Sequence, residues 1–465
     1  MSKKSIQVKR LAMISLSVFL ASLSQITQAV IDGESGTNFN FVACTFNILT
    51  PDGDSVPMYG YGLDSCDKAQ YPGPTLIVNQ NDTVTINLTN QLPFPTSIVF
   101  PGQNSNASGG DKGLLTQEAP ISSSATVTYT FTADKPGTFM YESGTNPALQ
   151  TEMGLLGAIV VRPTGFDNTP QQVETTSHGT IEKANPNQKA YNHSDSFFDY
   201  EYLFILTEMD PDLHRQYAQG RFQQVDNTQY RPVLWFINGR NFPNTLSPTN
   251  DPSLPHQPYS IVPQTRPGEK VLLRMVGGSR HAHPFHTHGA NFQVIAQDGQ
   301  LLESAPGAGA DLGRADYTLL VYPGQTYDSL FVWIGKEMGW DLYGDPNQAG
   351  SAHTCNDLVN NDTGNNEPDN FDDVTYEWCP DHGKALPVNL PSIQDLTFGG
   401  FYSGTPFLGK EGTLPPEEGG LNPEAAYLFA WHSHNERELV NNDVFPGGMF
   451  TGLFLHSYNV SILSQ

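Results

Sequence analysis

The stretch Arg280-His281-Ala282-His283-Pro284-Phe285-His286-Thr287-His288-Gly289 places four imidazoles within eight residues, directly after the aliphatic run Lys270 to Val276. That run has strand character. In an extended chain residues i and i+2 project from one face, so His286 and His288 make a two-pronged imidazole fork. A second fork, His432 and His434 in Trp431-His432-Ser433-His434-Asn435, follows the strand-like run Ala426 to Trp431. Two forks on neighbouring strands would put four neutral nitrogen donors around one or two metal ions. Imidazole suits copper, zinc, iron and nickel, and the spacing alone does not choose among them. A lone histidine more often hydrogen-bonds in a turn or at a strand end. That reading suits His178, His193, His214, His256, His353, His382 and His456, while His281 reads as solvent-facing or as support for a neighbour. Two forks in one region favour metal.

Upstream and downstream of the forks the chain shows short β-rich runs between turn residues. Thr75 to Val78, Thr83 to Leu88, Thr126 to Phe131, Thr138 to Tyr141 and Gly157 to Val161 are separated by Pro, Gly, Asn and Asp, which predicts a β-sandwich of about a hundred residues. The polar, aperiodic stretch from Pro163 to Ser196 reads as a linker or extended arm. A second β-rich region holds Tyr202 to Thr207, Val233 to Ile237, Lys270 to Val276, Asn291 to Ala296, Tyr317 to Val321, Ser329 to Ile334, Ala426 to Trp431 and Met449 to His456. Between Gly335 and roughly Pro423 the pattern breaks into turn-rich, acidic and Asn-rich sequence. A structureless loop of that length is uncommon in a compact domain, so this is an insertion, ordered in part by cysteine pairing. Its Asn356 to Asp373 part carries hard oxygen ligands suited to calcium, but no complete EF-hand spacing, and a solvated acidic loop is the better reading.

Composition narrows the partners. With 48 acidic against 23 basic side chains, the formal charge is −25, which repels nucleic acid phosphates and anionic membrane surfaces. A small molecule or a metal ion is the expected substrate or ligand, while the oligomeric state is not legible. At the N-terminus Lys3, Lys4, Lys9 and Arg10 precede the apolar run Leu11 to Leu23 and then Thr27-Gln28-Ala29. This is the pattern of a secretory signal, cleaved after Ala29, and predicts a periplasmic or secreted protein. No later run offers the roughly 20 apolar residues of a membrane-spanning helix. Export makes the environment oxidising, and of the three connectivities open to four cysteines, proximity favours Cys44 with Cys66 and Cys355 with Cys379.

Several segments carry a family resemblance. Tyr71-Pro72-Gly73-Pro74-Thr75-Leu76, Asn81-Asp82-Thr83-Val84, Pro136-Gly137-Thr138-Phe139-Met140-Tyr141 and Gly154-Leu155-Leu156-Gly157-Ala158-Ile159-Val160-Val161 resemble the first cupredoxin domain of multicopper oxidases. His283-Pro284-Phe285-His286-Thr287-His288-Gly289 is similar to their His-Pro-X-His-X-His-Gly motif. Trp431-His432-Ser433-His434 through Gly447-Gly448-Met449 resembles their closing His-Cys-His…Gly-Met loop. The resemblance implies an all-β protein of two cupredoxin-like Greek-key β-sandwich domains, the second with a long insertion. The divisions are 1–29 signal peptide, 30–163 first domain, 164–196 linker and 197–465 second domain, with the insertion at about 336–424. It also implies copper, with His283 and Met449 as ligands of a mononuclear type 1 ion that takes electrons from substrate. His286, His288, His432 and His434 would belong to the trinuclear cluster that reduces dioxygen.

The departures fall on the chemistry. Ser433 stands where the family has the type 1 Cys, and a hydroxyl cannot supply the soft thiolate of a blue copper site. Glu438 stands at the offset of a further ligand His. In the first domain Val99-Phe100-Pro101-Gly102 replaces His-Trp-His-Gly, and Glu142-Ser143-Gly144 replaces His-Ser-His. Four of eight cluster imidazoles remain. The expectation is a reduced site of one or two ions on His286, His288, His432 and His434, with Glu142 as a carboxylate from the first domain; Glu436 and Glu438 are weaker candidates. Copper is favoured, with zinc and iron also compatible with such a ligand set. Three functions compete: a copper-dependent oxidoreductase acting on phenols or metal ions with dioxygen, a non-catalytic copper-binding or buffering protein, and a metal-free structural descendant.

Overall fold

The computed structural model describes residues 31–121, 123–170, 172–176, 179–221, 224–339, 341–342, 355, 370–372, 376–384, 426–456 and 462. The expected signal segment, most of the insertion and nearly all of the Asn356 to Asp373 stretch lie outside them. Among the described residues, no helix is long and apolar enough to cross a membrane.

The chain is all-β. The first region builds two mixed sheets. One orders Ser55–Leu63, Asn38–Leu49, Thr83–Asn90, Ser123–Thr132 and Asn106–Ser108; the other orders Glu34–Ser35, Leu76–Asn79, Leu156–Arg162 and Gly137–Glu142. Alternation explains the packing. In Thr83–Asn90 every second residue is buried, and Val84, Ile86 and Leu88 meet Leu76, Val78, Tyr141 and Ile159 of the facing sheet in one apolar core. Each predicted strand of this region is present; Thr75 to Val78 is shifted by one residue to Leu76–Asn79, and the other four are lengthened by two to four residues. Asn38–Leu49 and Ser55–Leu63 were not among the predicted runs, because their burial does not alternate and Gly60 and Gly62 interrupt the apolar pattern.

The second region repeats the plan. Leu234–Ile237, Tyr200–Met209, Lys270–Gly277, Thr326–Val332, Phe292–Gln297 and Gln300–Leu301 form one sheet in that order, with Arg314–Asp316 also paired to Phe292–Gln297. The other sheet orders Gln264–Thr265, Phe450–His456, Ala426–Ser433, His283–Thr287 and Thr318–Val321. Phe204, Phe285, Phe331 and Trp431 interlock between them, with Phe331 and Trp431 ring centroids 5.0 Å apart. The stretch expected to be linker contains an antiparallel hairpin, Gln172–Thr176 with Gly179–Lys183. A short helix, Pro211–Ala218, has Pro at its first position and is capped by Asp210, whose side chain accepts from the backbone N–H of Asp212 and Leu213.

The two sandwiches share a face. Met58, Tyr71, Met140, Leu156 and Val160 of the first pack on Leu203, Ile205, Leu234 and Phe236 of the second. Beside this contact Glu201 accepts a bidentate pair from Arg162 and a further bond from Arg274 Nε at 2.9 Å. Arg274 in turn bonds Thr138 Oγ1 at 3.0 Å and faces Asp328 at 3.5 Å. Each charge has a partner, as burial requires. Both expected disulfides are present, Cys44 with Cys66 and Cys355 with Cys379, with Cα atoms 5.6 and 5.7 Å apart.

Candidate metal centre

Cross-strand register builds the site. His283–Thr287 runs antiparallel to Ala426–Ser433 with His286 directly opposite His432, and opposite residues of a ladder share a face. Adding two residues along each strand brings His288 and His434 to that face. Phe285, Trp431 and Ser433 occupy the other face, where Phe285 and Trp431 enter the apolar core. The ligand atoms of His286, His288 and His432 all lie within 4.8 Å of one another. His432 Nε2 and His288 Nε2 stand 3.2 Å apart. Two nitrogens about 2.0–2.1 Å from one ion, at a tetrahedral angle, are separated by roughly that distance. His434 is exposed at the rim of the cluster, its ring centroid 4.8 Å from that of His286 and 5.9 Å from that of His432.

Hydrogen bonds set the tautomers. His286 Nδ1–H donates to the carbonyl of Tyr317 at 2.7 Å, with Thr318 Oγ1 at 2.8 Å, and His432 Nδ1–H donates to the carbonyl of Ser433 at 2.6 Å. In both rings Nε2 is left with its lone pair directed to the cluster. An N–H given to a carbonyl is the usual way a protein orients a metal-binding imidazole. The rings are also held neutral. Burial, with the neighbouring His432, pushes His286 down to about 4, and the same causes push His288 down to about 3; burial lowers His432 as well. Neutral imidazoles in this arrangement need not release protons to accept a metal ion near pH 7.

The other expected ligands are not gathered here. His283 lies on the opposite face of its strand and is fully buried. Its Nε2 meets Glu208 Oε2 and its Nδ1 meets Glu438 Oε2, both at 2.9 Å. Two carboxylates require two N–H donors, so the ring is an imidazolium with no lone pair for a metal. Burial opposes the charge, but the hydrogen bonds to Glu208 and Glu438 outweigh it and push His283 up to about 9. Met449 is fully buried in the apolar core, with its N–H donating to the Glu438 carbonyl at 2.8 Å and its carbonyl accepting from Ser433 at 3.0 Å. Gly448 before it has φ +63°, and a Cβ there would overlap the Glu438 carbonyl, so this close approach requires glycine. Glu142 lies in the first sandwich, pairs with Val99 and accepts from Thr151 Oγ1 at 3.1 Å. It is not in the histidine group. Glu436 is exposed.

Glu208 was not singled out in the sequence. It sits 75 residues from His283, and Glu438 sits 155 away; no local spacing reports such pairs. A second group, Cys355, Glu377 and His382, has its sulfur in a disulfide, so no thiolate is available. Its His382 Nδ1 instead faces Glu377 at 3.0 Å and Asp341 at 3.6 Å.

Parts of the chain are similar to known proteins. Family models described as multicopper oxidase match residues 67–165 and 221–329. The multicopper oxidase MCE of Talaromyces pinophilus is 33% identical over 155 residues, covering 31% of this chain and 25% of that protein. Laccase-1 of Thanatephorus cucumeris is 26% identical over 238 residues, covering 49% of this chain and 35% of that one. The iron transport multicopper oxidase fetC of Epichloe festucae is 41% identical over 103 residues, 21% of this chain and 16% of that one. The matched parts therefore span about a third or less of these relatives. Among solved structures, a blue copper oxidase from Nitrosomonas europaea superposes with a TM-score of 0.48 at 17% identity, over 90% of this chain and 86% of that one. Two models of the multicopper oxidase family thus match separate stretches of the chain, which supports its being a member of that family. That family implies copper as the metal.

Proposed function

We propose that this protein is an exported copper-binding member of the family, in which His286, His288, His432 and His434 hold one or two copper ions. The observation that carries the reading is the convergence of three neutral imidazoles within 4.8 Å, two of them with Nε2 lone pairs set by carbonyl partners. The remaining roles divide as follows. Tyr317 and Ser433 carbonyls fix the ring orientations, burial keeps the rings neutral, and exposed His434 stands where an ion would enter. Bound copper would supply high affinity for nitrogen donors and a one-electron couple. The division into an exported leader over 1–29, domains over 30–163 and 197–465 and a connector over 164–196 belongs to the same proposal.

Binding and delivery is the leading function. His283 is occupied by two carboxylates, Ser433 supplies no thiolate, and the substrate-facing electron port of the family is thereby replaced. The rim position of His434 favours a second reading, in which a phenol or a metal ion reaches the copper directly and is oxidised with dioxygen. The test is to load the purified protein with copper, measure metal content and the electron paramagnetic resonance spectrum, and follow oxygen uptake with a phenol and with Fe(II). Copper binding that the His286→Ala, His432→Ala double variant loses supports the proposal, and its absence in the unaltered protein refutes it. Oxygen uptake above that of the double variant selects the oxidase reading.

A further inference from the structure

The strand pair that presents the histidines on one face carries a charged chain on the other. Ser433 Oγ donates to Glu438 Oε2 at 2.6 Å, and the same oxygen accepts from His283 Nδ1. Beyond His283, Glu208 accepts on its second oxygen from the backbone N–H groups of Arg280 and His281, each at 3.0 Å, and from the Tyr230 hydroxyl at 3.1 Å. Asn435 closes the near end, with its Nδ2 donating to Glu438 Oε1 at 2.9 Å and its N–H to Ser433 Oγ at 3.2 Å. Glu208, His283, Ser433 and Glu438 are all nearly or wholly buried.

Ser433 is the residue between two of the four histidines, so whatever fixes Ser433 fixes the fork. Its N–H is bound to Met449, and the next N–H, of His434, is bound to Pro284 at 2.7 Å. The side chain adds a tie that reaches out of the ladder, through Glu438 and His283 to Glu208 on the other sheet. A hydrogen-bonded network of this kind, with every member satisfied, defines one arrangement of the groups attached to it. We infer that Ser433, Glu438, His283 and Glu208 are positioning residues for the histidine face: a buried imidazolium clamped by two carboxylates cross-links the strand of Glu208 to the His432-Ser433-His434 segment and holds that fork in ligand geometry. The inference rests on the metal-site reading above, but its structural half concerns the metal-free protein.

The experiment compares the full-length protein with Ser433→Ala, which cuts the tie at the fork, and Ser433→Thr, which keeps the hydroxyl. In the metal-free protein, imidazole nitrogen chemical shifts of His432 should report one tautomer in the unaltered chain, a mixture in Ser433→Ala, and one tautomer again in Ser433→Thr. Copper affinity should fall by about 10–100-fold in Ser433→Ala, the range typical of lost supporting bonds around a metal ligand, and recover in Ser433→Thr. A Ser433→Ala protein with the unaltered nitrogen shifts, copper affinity and paramagnetic spectrum overturns the inference. If the unaltered protein takes up no copper, the metal-site reading fails on its own, and the nitrogen shifts still decide the positioning role.

Discussion

The two faces of the strand pair His283–Thr287 and Ala426–Ser433 use the same side chain for opposite purposes. On one face His286 and His288 stand beside each other and His432, and they are held uncharged, at about 4 and about 3. On the other, His283 lies between Glu208 and Glu438 and is held charged up to about 9. Burial disfavours charge on both faces; the difference is whether a carboxylate is present to outweigh it. Proximity in sequence therefore says little about an imidazole's role. Only Pro284 and Phe285 separate a lone-pair donor, His286, from a cation, His283.

The largest expected break is on the neutral face. His286→Ala with His432→Ala removes two of four nitrogen donors. If four ligands share on the order of 10–16 kcal/mol, copper affinity should fall by roughly a thousandfold or more, read by competition with a chelator, while urea unfolding changes little. Retained stoichiometric copper would place the metal elsewhere.

On the charged face the loss should appear in stability instead. Glu208→Ala removes one of the two carboxylates from the His283 cation and leaves His283 Nε2–H and the N–H groups of Arg280 and His281 without their acceptor in a dry site, and breaking a buried pair in this way costs about 3–5 kcal/mol. Urea unfolding monitored by tryptophan emission measures it. A change below about 1 kcal/mol would mean that the chain contributes little to the fold.

The pH dependence separates the faces by sign. His283 is raised on folding, so its contribution is complete below about 6.5 and disappears as pH rises through about 9, amounting to about 3 kcal/mol. Its immediate titratable surroundings are Glu208, Glu438 and Tyr230, with His281 4.0 Å from Glu208. His286 and His288 are lowered on folding, so stability and copper retention should both decline as pH falls below about 6.5 towards 4. Unfolding series at several pH values check both limbs, and His283→Gln should remove the alkaline limb alone. The smallest effect concerns the first sandwich. Glu142→Gln should leave copper affinity unchanged and cost below about 1 kcal/mol, since it removes the charge from one bond to Thr151; a clear fall in copper affinity would restore Glu142 to the ligand set.

Much of this was legible in the residues. Alternating runs such as Thr83 to Leu88 announced strands, and the His-X-His spacings announced forks, because both depend on the two-residue period of a strand. The register that sets His286 opposite His432 was not legible, since it depends on pairing across nearly 150 residues. The role of His283 was hidden for the same reason. Its motif position suggested a ligand, whereas its partners arrive from far along the chain, Glu208 from the strand Tyr200–Met209 and Glu438 from the short turn Glu436–Leu439, and decide its charge. Asn38–Leu49 was missed because it is buried on both faces over Val42 to Cys44 and lacks the alternation that marks a half-buried strand.

The bond of Arg162 to Glu201, continued to Arg274 and Asp328, crosses from one sandwich to the other inside the protein. A fragment ending near residue 163 would keep Arg162 without its carboxylate and expose the apolar surface of Met140, Leu156 and Val160 to water. Neither half is equipped to stand alone. Heating or urea should thus take the two sandwiches apart in a single transition, and a protease cut in the connecting arm should leave the cut chain folded and its pieces associated until that transition is reached.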